Sequence, residues 1–520
     1  MEKRVVTLFS GLVVLLFGLI WRIGFLGQTS LYSEAAARQS SYLLQVHTGR
    51  GGIFDRNGEP MVNRQTRSLA AVLPLSEGAA ALRDSLEDLP SRRTPTVLPA
   101  DPTLPSGNGC YLFSVPRRYS SPFAAHLIGY LDGAGQGQSG IERAYDAFLS
   151  RTGRSVQVRF FVDAVGRPLP GEQDEILYSG SDADGLVLTV DSKIQTICES
   201  ALSQAECNGA VVVMDVKTGQ LLAMASTPVF DPSSVADALN AKESPFINRA
   251  TAAWAVGSSF KLITAAAALE QGILPETVFC CDGYLDVDGQ IFRCNRLSGH
   301  GELDMTQAMA SSCNCYFIQL AQQMGARPLF AMAQRFGFGQ KDRLAQDYYS
   351  TAGTLPSLSQ LQNPAELANL SFGQGYLTAT PIQICKMVAA IAAEGRMPTP
   401  QVVMSMVEDG VRFPQESYAA NAVIRPETAQ ILLEMMTVAV EEGTGAGASP
   451  SNGTAAGKTA SAQTGQYDED GQEIVHGWFA GCVPAENPQY AAVVFLENGQ
   501  SGNRAAAPVF RQITEEILKQ

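Results

Sequence analysis

Three short segments of this 520-residue chain carry side chains suited to nucleophilic catalysis. The first is Ser258-Ser-Phe-Lys261, directly before an apolar stretch, Leu262 to Leu269, that predicts a helix. A serine at a helix N-terminus sits at the positive end of the dipole. A lysine three residues on shares its face, so the amine can reach the hydroxyl. Such a lysine acts as a base only after losing its proton; burial and a second cation would bring its pKa from about 10.4 toward roughly 7–8. Taken alone, the segment is more simply a capping serine with a lysine nearby. The second segment, Ser312-Cys-Asn314, precedes the helical run Tyr316 to Gln323. Its hydroxyl and amide can face one cleft, or merely cap. The third, Lys458-Thr459-Ala460-Ser461, is entered by a stretch rich in Gly, Ser and Ala, Gly443 to Gly457. A strand edge there offers backbone N–H groups, a lysine and hydroxyls to an anionic peptide; the plainer alternative is an edge strand guarded by a lysine. The order S-x-x-K, S-x-N, K-T-x along one chain favours a single site with Ser258 as nucleophile.

The elements that must position these groups point to an α+β fold. Leu186 to Val190 predicts a strand and Ser192 to Ala205 a helix. Gly209 to Asp215 and Leu221 to Ala225 form a hairpin about Lys217–Gln220. Helical patterns dominate from Phe260 to Glu394. Strands return at Gly453 to Ala462, His476 to Cys482 and Tyr490 to Glu497, before a last helix, Ala505 to Lys519. The expected architecture is one antiparallel sheet whose first and last segments meet, with helices packed on it.

The amino-terminal part reads differently. It holds a turn at Asn57-Gly58, a strand at Ser68 to Leu75, a proline-rich loop from Ser91 to Pro105, a glycine-rich stretch from Tyr130 to Gly140 and an amphipathic helix from Ile141 to Ser150. The polar segment Ser179 to Gly185 predicts a linker. Three parts are therefore expected: 1–26, a stub and membrane anchor; 27–185, a mixed non-catalytic domain; and 186–520, the catalytic domain.

The anchor rests on the uncharged run Val5 to Trp21, about 26 Å of helix at about 1.5 Å per residue, which extends to Leu26 if Arg22 snorkels to the interface. Lys3 and Arg4 before it place the N-terminus in the cytoplasm and the rest outside. A cleaved signal ending near Ala35-Ala36-Ala37 is the alternative, but the run is long for one. The formal net charge of −14 argues against nucleic acid as partner. Among the ten cysteines no C-x-x-C pair occurs, so neither a zinc nor a thioredoxin-like site is indicated. Cys280, Cys281, Cys294 and His300 are the cluster with the most ligand-like variety. Outside a membrane a disulfide from Cys294 to Cys280 or Cys281 is the first expectation, with zinc the lesser one. No metal or cofactor is expected for the chemistry.

The chain resembles the class B penicillin-binding proteins over nearly its whole length. Arg50-Gly-Gly-Ile-Phe-Asp-Arg-Asn-Gly58 is similar to the family's juxtamembrane signature. Arg118-Tyr119, His126-Leu-Ile-Gly-Tyr130 and Gly140-Ile-Glu-Arg-Ala-Tyr-Asp146 are similar to its pedestal domain. Asn248-Arg-Ala250, Gly373-Gln-Gly375, Thr380-Pro381 and Trp478-Phe479 are similar to its transpeptidase domain, which shares its fold and motif trio with serine β-lactamases. The resemblance implies a peptidoglycan D,D-transpeptidase that β-lactams acylate. Ser258 would attack the carbonyl of a D-Ala-D-Ala stem, with Lys261 as base. Ser312 would relay a proton to the leaving amine, and Asn314 would hold Lys261 and the substrate amide. Lys458 and Thr459 would bind the terminal carboxylate. The N–H groups of Ser258 and Ser461 would form the oxyanion hole. The family further implies a separate membrane glycan polymerase as partner. Two positions depart from the pattern: Ala460, usually glycine, and Val256, often proline. A methyl at Ala460 crowds substrate if it faces the cleft and is harmless if it faces the core.

Two other functions compete. A β-lactamase needs a group that activates water against the acyl-enzyme; Glu366-Leu-Ala-Asn369 invites that role but is one residue short in spacing, and the segment 27–185 would be unexplained. A catalytically weak β-lactam-binding scaffold rests on Ala460 alone.

Overall fold

The computed structural model of the protein describes residues 2–28, 40–80, 82, 94–205, 207–416, 419–468 and 470–519. Ala35-Ala36-Ala37 and the start of the Ser91–Pro105 loop lie outside them. Two compact units are present. One comprises Met1–Gly51, Asn63–Arg118 and Arg151–Asp182; the other comprises Gly52–Val62, Tyr119–Ser150 and Ala183–Gln520.

The first unit begins with helix α1 (Glu2–Gln28). Its segment Lys3–Leu26 has a mean hydropathy of 2.1 and no buried residue, and is long and apolar enough to cross a membrane once. The helix runs through Arg22 without a break. Two three-stranded antiparallel sheets follow. Ser155–Phe161 lies between Ser41–His47 and Glu175–Ser179, and Gln65–Val72 lies between Thr96–Pro99 and Cys110–Arg117. Alternate residues of Ser155–Phe161 point inward, as period-two patterning requires. Val156, Val158 and Phe160 share a core with Val46, Leu69 and Phe113.

The contiguous segment 27–185 expected from the sequence is divided between the units. Gly52–Phe54 pairs in parallel with Gly185–Leu188, in a sheet completed by Val403–Glu408 and Val411–Pro414. Leu127, Ile141, Tyr145 and Leu149 join the main core of the second unit. Strand pairing and side-chain burial connect segments far apart in the chain, which composition along the sequence does not mark. The expected helix Ile141–Ser150 is two short helices, Gly140–Ala144 and Asp146–Arg151, broken at Tyr145.

The second unit is built on a five-stranded antiparallel sheet of β1 (Gly209–Asp215), β2 (Leu221–Ser226), β3 (Ala456–Tyr467), β4 (Glu473–Val483) and β5 (Tyr490–Leu496). Their order is β2-β1-β5-β4-β3. The first and last segments do meet, with Val212 opposite Val493. Both faces are covered. Val211, Val213 and Val494 pack with Ile194 and Leu202 of α2 (Ser192–Gln204) and Phe510 of the carboxy-terminal helix Ala507–Ile517. Val212, Val493 and Phe495 join the larger core on the other side. Each fully buried valine contributes about 1.5–3 kcal/mol.

That larger core takes in α3 (Lys261–Glu270), α4 (Asn314–Met324), α5 (Pro364–Ser371), α6 (Pro381–Ala392) and α7 (Pro426–Glu441). Helix α6 starts at a capping box of Thr380 and Gln383 with Pro381 in its first turn, which satisfies orphan N–H groups at no cost in helix geometry. Four consecutive alanines of α3, Ala265–Ala268, are buried and let neighbouring helices approach closely. Strand β3 is the sheet edge, and it extends past the expected end at Ala462 because Tyr467 pairs with Glu473.

Candidate active site

Ser258 stands in a 3-10 turn, Gly257–Phe260, that leads into α3. The Lys261 N–H bonds the carbonyl of Ser258, so the two residues are one turn apart. Ser258 is partly exposed, whereas Ser259 is fully buried; only the first hydroxyl is open to an incoming group. The turn is held on two sides. Gly257 has φ +62, and a Cβ there would come within 3.0 Å of the Ser461 carbonyl oxygen on β3. Its N–H donates to the Gly373 carbonyl at 2.9 Å. A Cβ on Gly373 would fall 1.9 Å from the Gly257 oxygen, which accounts for glycine in Gly373-Gln-Gly375.

Lys261 is fully buried. Its Nζ donates to the Ser312 carbonyl at 2.7 Å and to Asn314 Oδ1 at 2.7 Å, and lies 3.2 Å from Ser312 Oγ. A neutral lysine has two N–H groups and one lone pair. With both N–H groups committed to obligate acceptors, the lone pair is left for a hydroxyl proton. Burial lowers the Lys261 pKa to about 8, with the Cys313, Cys294 and Cys315 sulfurs opposing the shift. Burial in a low-dielectric site disfavours the charged amine.

Lys458, on β3, is also fully buried. Its Nζ donates to Ser312 Oγ at 2.9 Å and to the Thr459 carbonyl at 3.0 Å. Burial, and then the charge of Lys261, hold it well below the ordinary lysine range. Ser312 therefore joins two amines through one hydroxyl. It does so from a left-handed backbone, φ +55, which costs a non-glycine residue about 1–2 kcal/mol and which such sites tolerate where geometry is functional. Asn314 opens α4 and anchors its Nδ2 on the Arg293 carbonyl at 3.2 Å.

Alternation along β3 separates two roles. Lys458, Ala460 and Ala462 occupy one face; Thr459 and Ser461 occupy the other. Ala460 is 2% exposed and belongs to the main core, so its methyl is packed among core side chains. Ser461 is exposed, and its Oγ accepts the Gly502 N–H at 3.2 Å. Thr459 shares a hydrogen bond of 2.8 Å with Thr444. Thr444, in the small-residue stretch, is not singled out by the sequence; nothing but proximity in space marks it. Glu366 lies in the first turn of α5 and, among the described residues, makes no hydrogen bond to Lys261, Ser312 or Lys458.

The seven residues expected from the sequence thus come together from three places in one unit: the turn into α3 and its first residue, the turn into α4 and its first residue, and the edge strand β3. Cys313, between Ser312 and Asn314, is fully buried and lies against Cys294 instead of the amines. Cys280, Cys281 and Cys294 are thiols. The disulfide expected from Cys294 to Cys280 or Cys281 is not formed, and Cys280 is exposed with its Sγ toward Asp282.

Residues 209–515 match the family model of the penicillin-binding protein transpeptidase domain. Stage V sporulation protein D of Bacillus subtilis is 31% identical over 98% of this chain and 85% of its own length. PbpB of Mycolicibacterium smegmatis is 31% identical over 78% of the chain, and the peptidoglycan D,D-transpeptidase MrdA of Haemophilus influenzae 29% over 74%; the chain spans 64% and 63% of those two proteins. Among solved structures, the D,D-transpeptidase domain of a peptidoglycan glycosyltransferase from Eggerthella lenta is similar, with a TM-score of 0.66 and 25% identity over 91% of this chain and 98% of that one. Penicillin-binding protein 3 of Mycobacterium tuberculosis in complex with aztreonam gives a TM-score of 0.68 and 25% identity over 92% and 97%. With the motif trio gathered at one site and the family model spanning the sheet from β1 to β5, the chain belongs to the class B penicillin-binding proteins, the peptidoglycan D,D-transpeptidases.

Proposed function

We propose that this transpeptidase works through an acyl-enzyme on Ser258. The observation that carries the reading is the buried Lys261–Ser312–Lys458 chain, with Ser312 Oγ at 3.2 and 2.9 Å from the two amines. Ser258 Oγ attacks the carbonyl of the penultimate D-Ala of a donor stem, and its proton passes to neutral Lys261. Ser312 and Lys458 carry a proton to the amine of the departing D-Ala. An amine of a second stem then attacks the ester, returns its proton along the same chain and leaves the two stems joined. Thr459, Ser461 and the Lys458 amine receive the terminal carboxylate. The N–H groups of Ser258 and Ser461 stabilise the oxyanion, worth roughly 3–4 kcal/mol per donor in such sites. Water in place of the amine would give a residual D,D-carboxypeptidase activity.

In this reading β-lactams mimic the donor and stop at the ester. Among the described residues Glu366 makes no hydrogen bond to the proton chain, which disfavours a hydrolytic β-lactamase. The burial of the Ala460 methyl in the main core disfavours a weak scaffold. Lys3 and Arg4 ahead of the apolar helix favour a cytoplasmic N-terminus with the catalytic unit outside. We further infer a separate membrane glycan polymerase as partner, with the first unit as the docking element. Labelling by a fluorescent penicillin tests the site: Ser258→Ala should abolish it, and Lys261→Ala should slow it by roughly 10²–10⁴-fold. Persistent labelling of the Ser258→Ala chain would overturn the assignment.

A further inference from the structure

We propose that the cavity past Ser461 on β3, walled by Arg249, Trp254, Gln463, His476 and Glu497, receives the side chain of the donor-stem residue that precedes the D-Ala-D-Ala pair, and that it selects a diamino acid whose side chain ends in one carbon bearing an ammonium and a carboxylate or carboxamide. This rests on the donor orientation proposed above. The cavity holds about 660 Å³ and lies wholly within the second unit, a size suited to a small polar group on a methylene stem. With the scissile carbonyl at the Ser461 N–H and the terminal carboxylate at Thr459, the stem runs antiparallel to β3. Strand β3 is the sheet edge, so an added strand can pair with its outer backbone groups. At about 3.3 Å per residue, the residue ahead of the acylated D-Ala falls beside Gln463, which lines the cavity.

Two polar groups of the wall are held in place and left without a partner. His476 is 6% exposed, and its Nδ1 accepts the Asn498 N–H at 3.2 Å. A backbone N–H can only donate, so Nδ1 is unprotonated and Nε2 of the neutral ring carries the hydrogen. Burial lowers the His476 pKa, with the Glu497 charge opposing the shift, so the ring is neutral at pH 7. Among the described residues Nε2 has no hydrogen-bond partner; an oxygen of a ligand in the cavity would supply the acceptor that a buried donor needs. Arg249, 3% exposed, donates its Nε to Glu497 Oε2 at 2.6 Å and its two Nη groups to the Glu243 and Ser244 carbonyls at 3.0 and 3.4 Å. The guanidinium thus fixes one carboxylate oxygen, while Oε1 has no partner among the described residues. A carboxylate oxygen and an N–H donor on one wall match an ammonium and a carbonyl-type oxygen carried by one carbon.

The wall is continuous with the turn that carries Ser258. Trp254 and Ala255 pair with Ala379 and Thr378, and Ala255 stands three residues ahead of Ser258. The Trp254 ring stacks on Phe495 with centroids 4.9 Å apart and meets His476 edge-on at 5.6 Å. Its Nε1 donates to the Arg249 carbonyl at 3.1 Å. Arg249, the middle residue of Asn248-Arg-Ala250, is therefore a positioning residue that aims Glu497, whereas His476 and Glu497 would touch the substrate. A stem with a purely apolar side chain here would leave both polar groups desolvated and unpaired, and a site built to bond a polar group discriminates strongly against the analogue that lacks it.

The full-length chain in detergent tests this with soluble donors, acyl-X-D-Ala thioesters in which X is diaminopimelate, lysine or norleucine. Attack by Ser258 forms the ester and releases one thiol, whose appearance gives the second-order acylation constant. Lysine should exceed norleucine by about tenfold or more, and diaminopimelate should exceed lysine by about threefold or more. The lysine-to-norleucine ratio should fall to about one in Glu497→Gln, and the diaminopimelate-to-lysine ratio to about one in His476→Phe. Ratios are compared within each variant, so a general loss of activity does not imitate the result. Should a variant fail to fold, the donor series on the unsubstituted chain decides. Equal constants for all three donors with the ester on Ser258, or an ammonium preference that survives in Glu497→Gln, would overturn the subsite and leave the Ser258 reading standing. Absence of an ester on Ser258 from every donor and from penicillin would overturn both.

Discussion

Lys261 and Lys458 meet at one hydroxyl: the Ser312 Oγ lies 3.2 Å from the first Nζ and 2.9 Å from the second. Two ammonium groups so close and so buried repel, so Lys458 is held well below the ordinary lysine range by burial and by the charge of Lys261. A protonated Lys261 cannot accept the Ser258 proton; a neutral one can. Because burial brings Lys261 to about 8, the acylation rate constant for a penicillin should climb with pH from about 6, reach half its maximum near 8 and level off above about 9. Stopped-flow acylation across that range checks it, and a flat profile would contradict it.

Ser312 occupies φ +55, so its backbone and its hydroxyl can be tested apart. Ser312→Gly and Ser312→Ala should both lower acylation by roughly 10²-fold or more, as a lost proton relay does. The glycine variant should be the more stable of the two by about 1 kcal/mol, because glycine carries no left-handed penalty. Equal thermal midpoints would argue that the turn relaxes when the hydroxyl is removed.

Gly373 and the Ser258 turn are in backbone contact, so close that a methyl on Gly373 would fall 1.9 Å from the Gly257 oxygen. Gly373→Ala should therefore destabilise the protein by about 1–3 kcal/mol and slow acylation by displacing Ser258. Denaturant melts and acylation rates together test this; unchanged values for both would mean the two turns are not coupled.

Ala460→Gly should change acylation by less than about tenfold, or about 1.4 kcal/mol in the barrier, because the native methyl faces the core. A much larger gain would mean that the methyl crowds the substrate after all.

These outcomes bear on how far the sequence alone can be read. Ser258, Lys261, Ser312, Asn314, Lys458, Thr459 and Ser461 are legible because each sits in a short motif whose order along the chain is itself a signal. The central strands are legible as apolar runs; their pairing, Val212 with Val493, follows from having strands at both ends. The join of Gly52–Phe54 to Gly185–Leu188 is not, since a three-residue strand has no pattern of its own. Cys313 is hidden differently. Inside Ser312-Cys-Asn314 it reads as a spacer, and its neighbours Cys281, Cys294 and His300 are gathered only by the hairpin fold. The left-handed backbone of Ser312 has no sequence signature at all, because serine does not favour it.

The most direct measurement is intact-protein mass spectrometry of the chain with benzylpenicillin, followed in time and then by peptide mapping. One penicilloyl mass should appear, map to the peptide at Ser258, and persist for minutes to hours, while nitrocefin is consumed about once per enzyme. An adduct on Ser259 or elsewhere would contradict the central claim. So would steady nitrocefin turnover at about 1 s⁻¹ or faster, the ordinary range for enzymes.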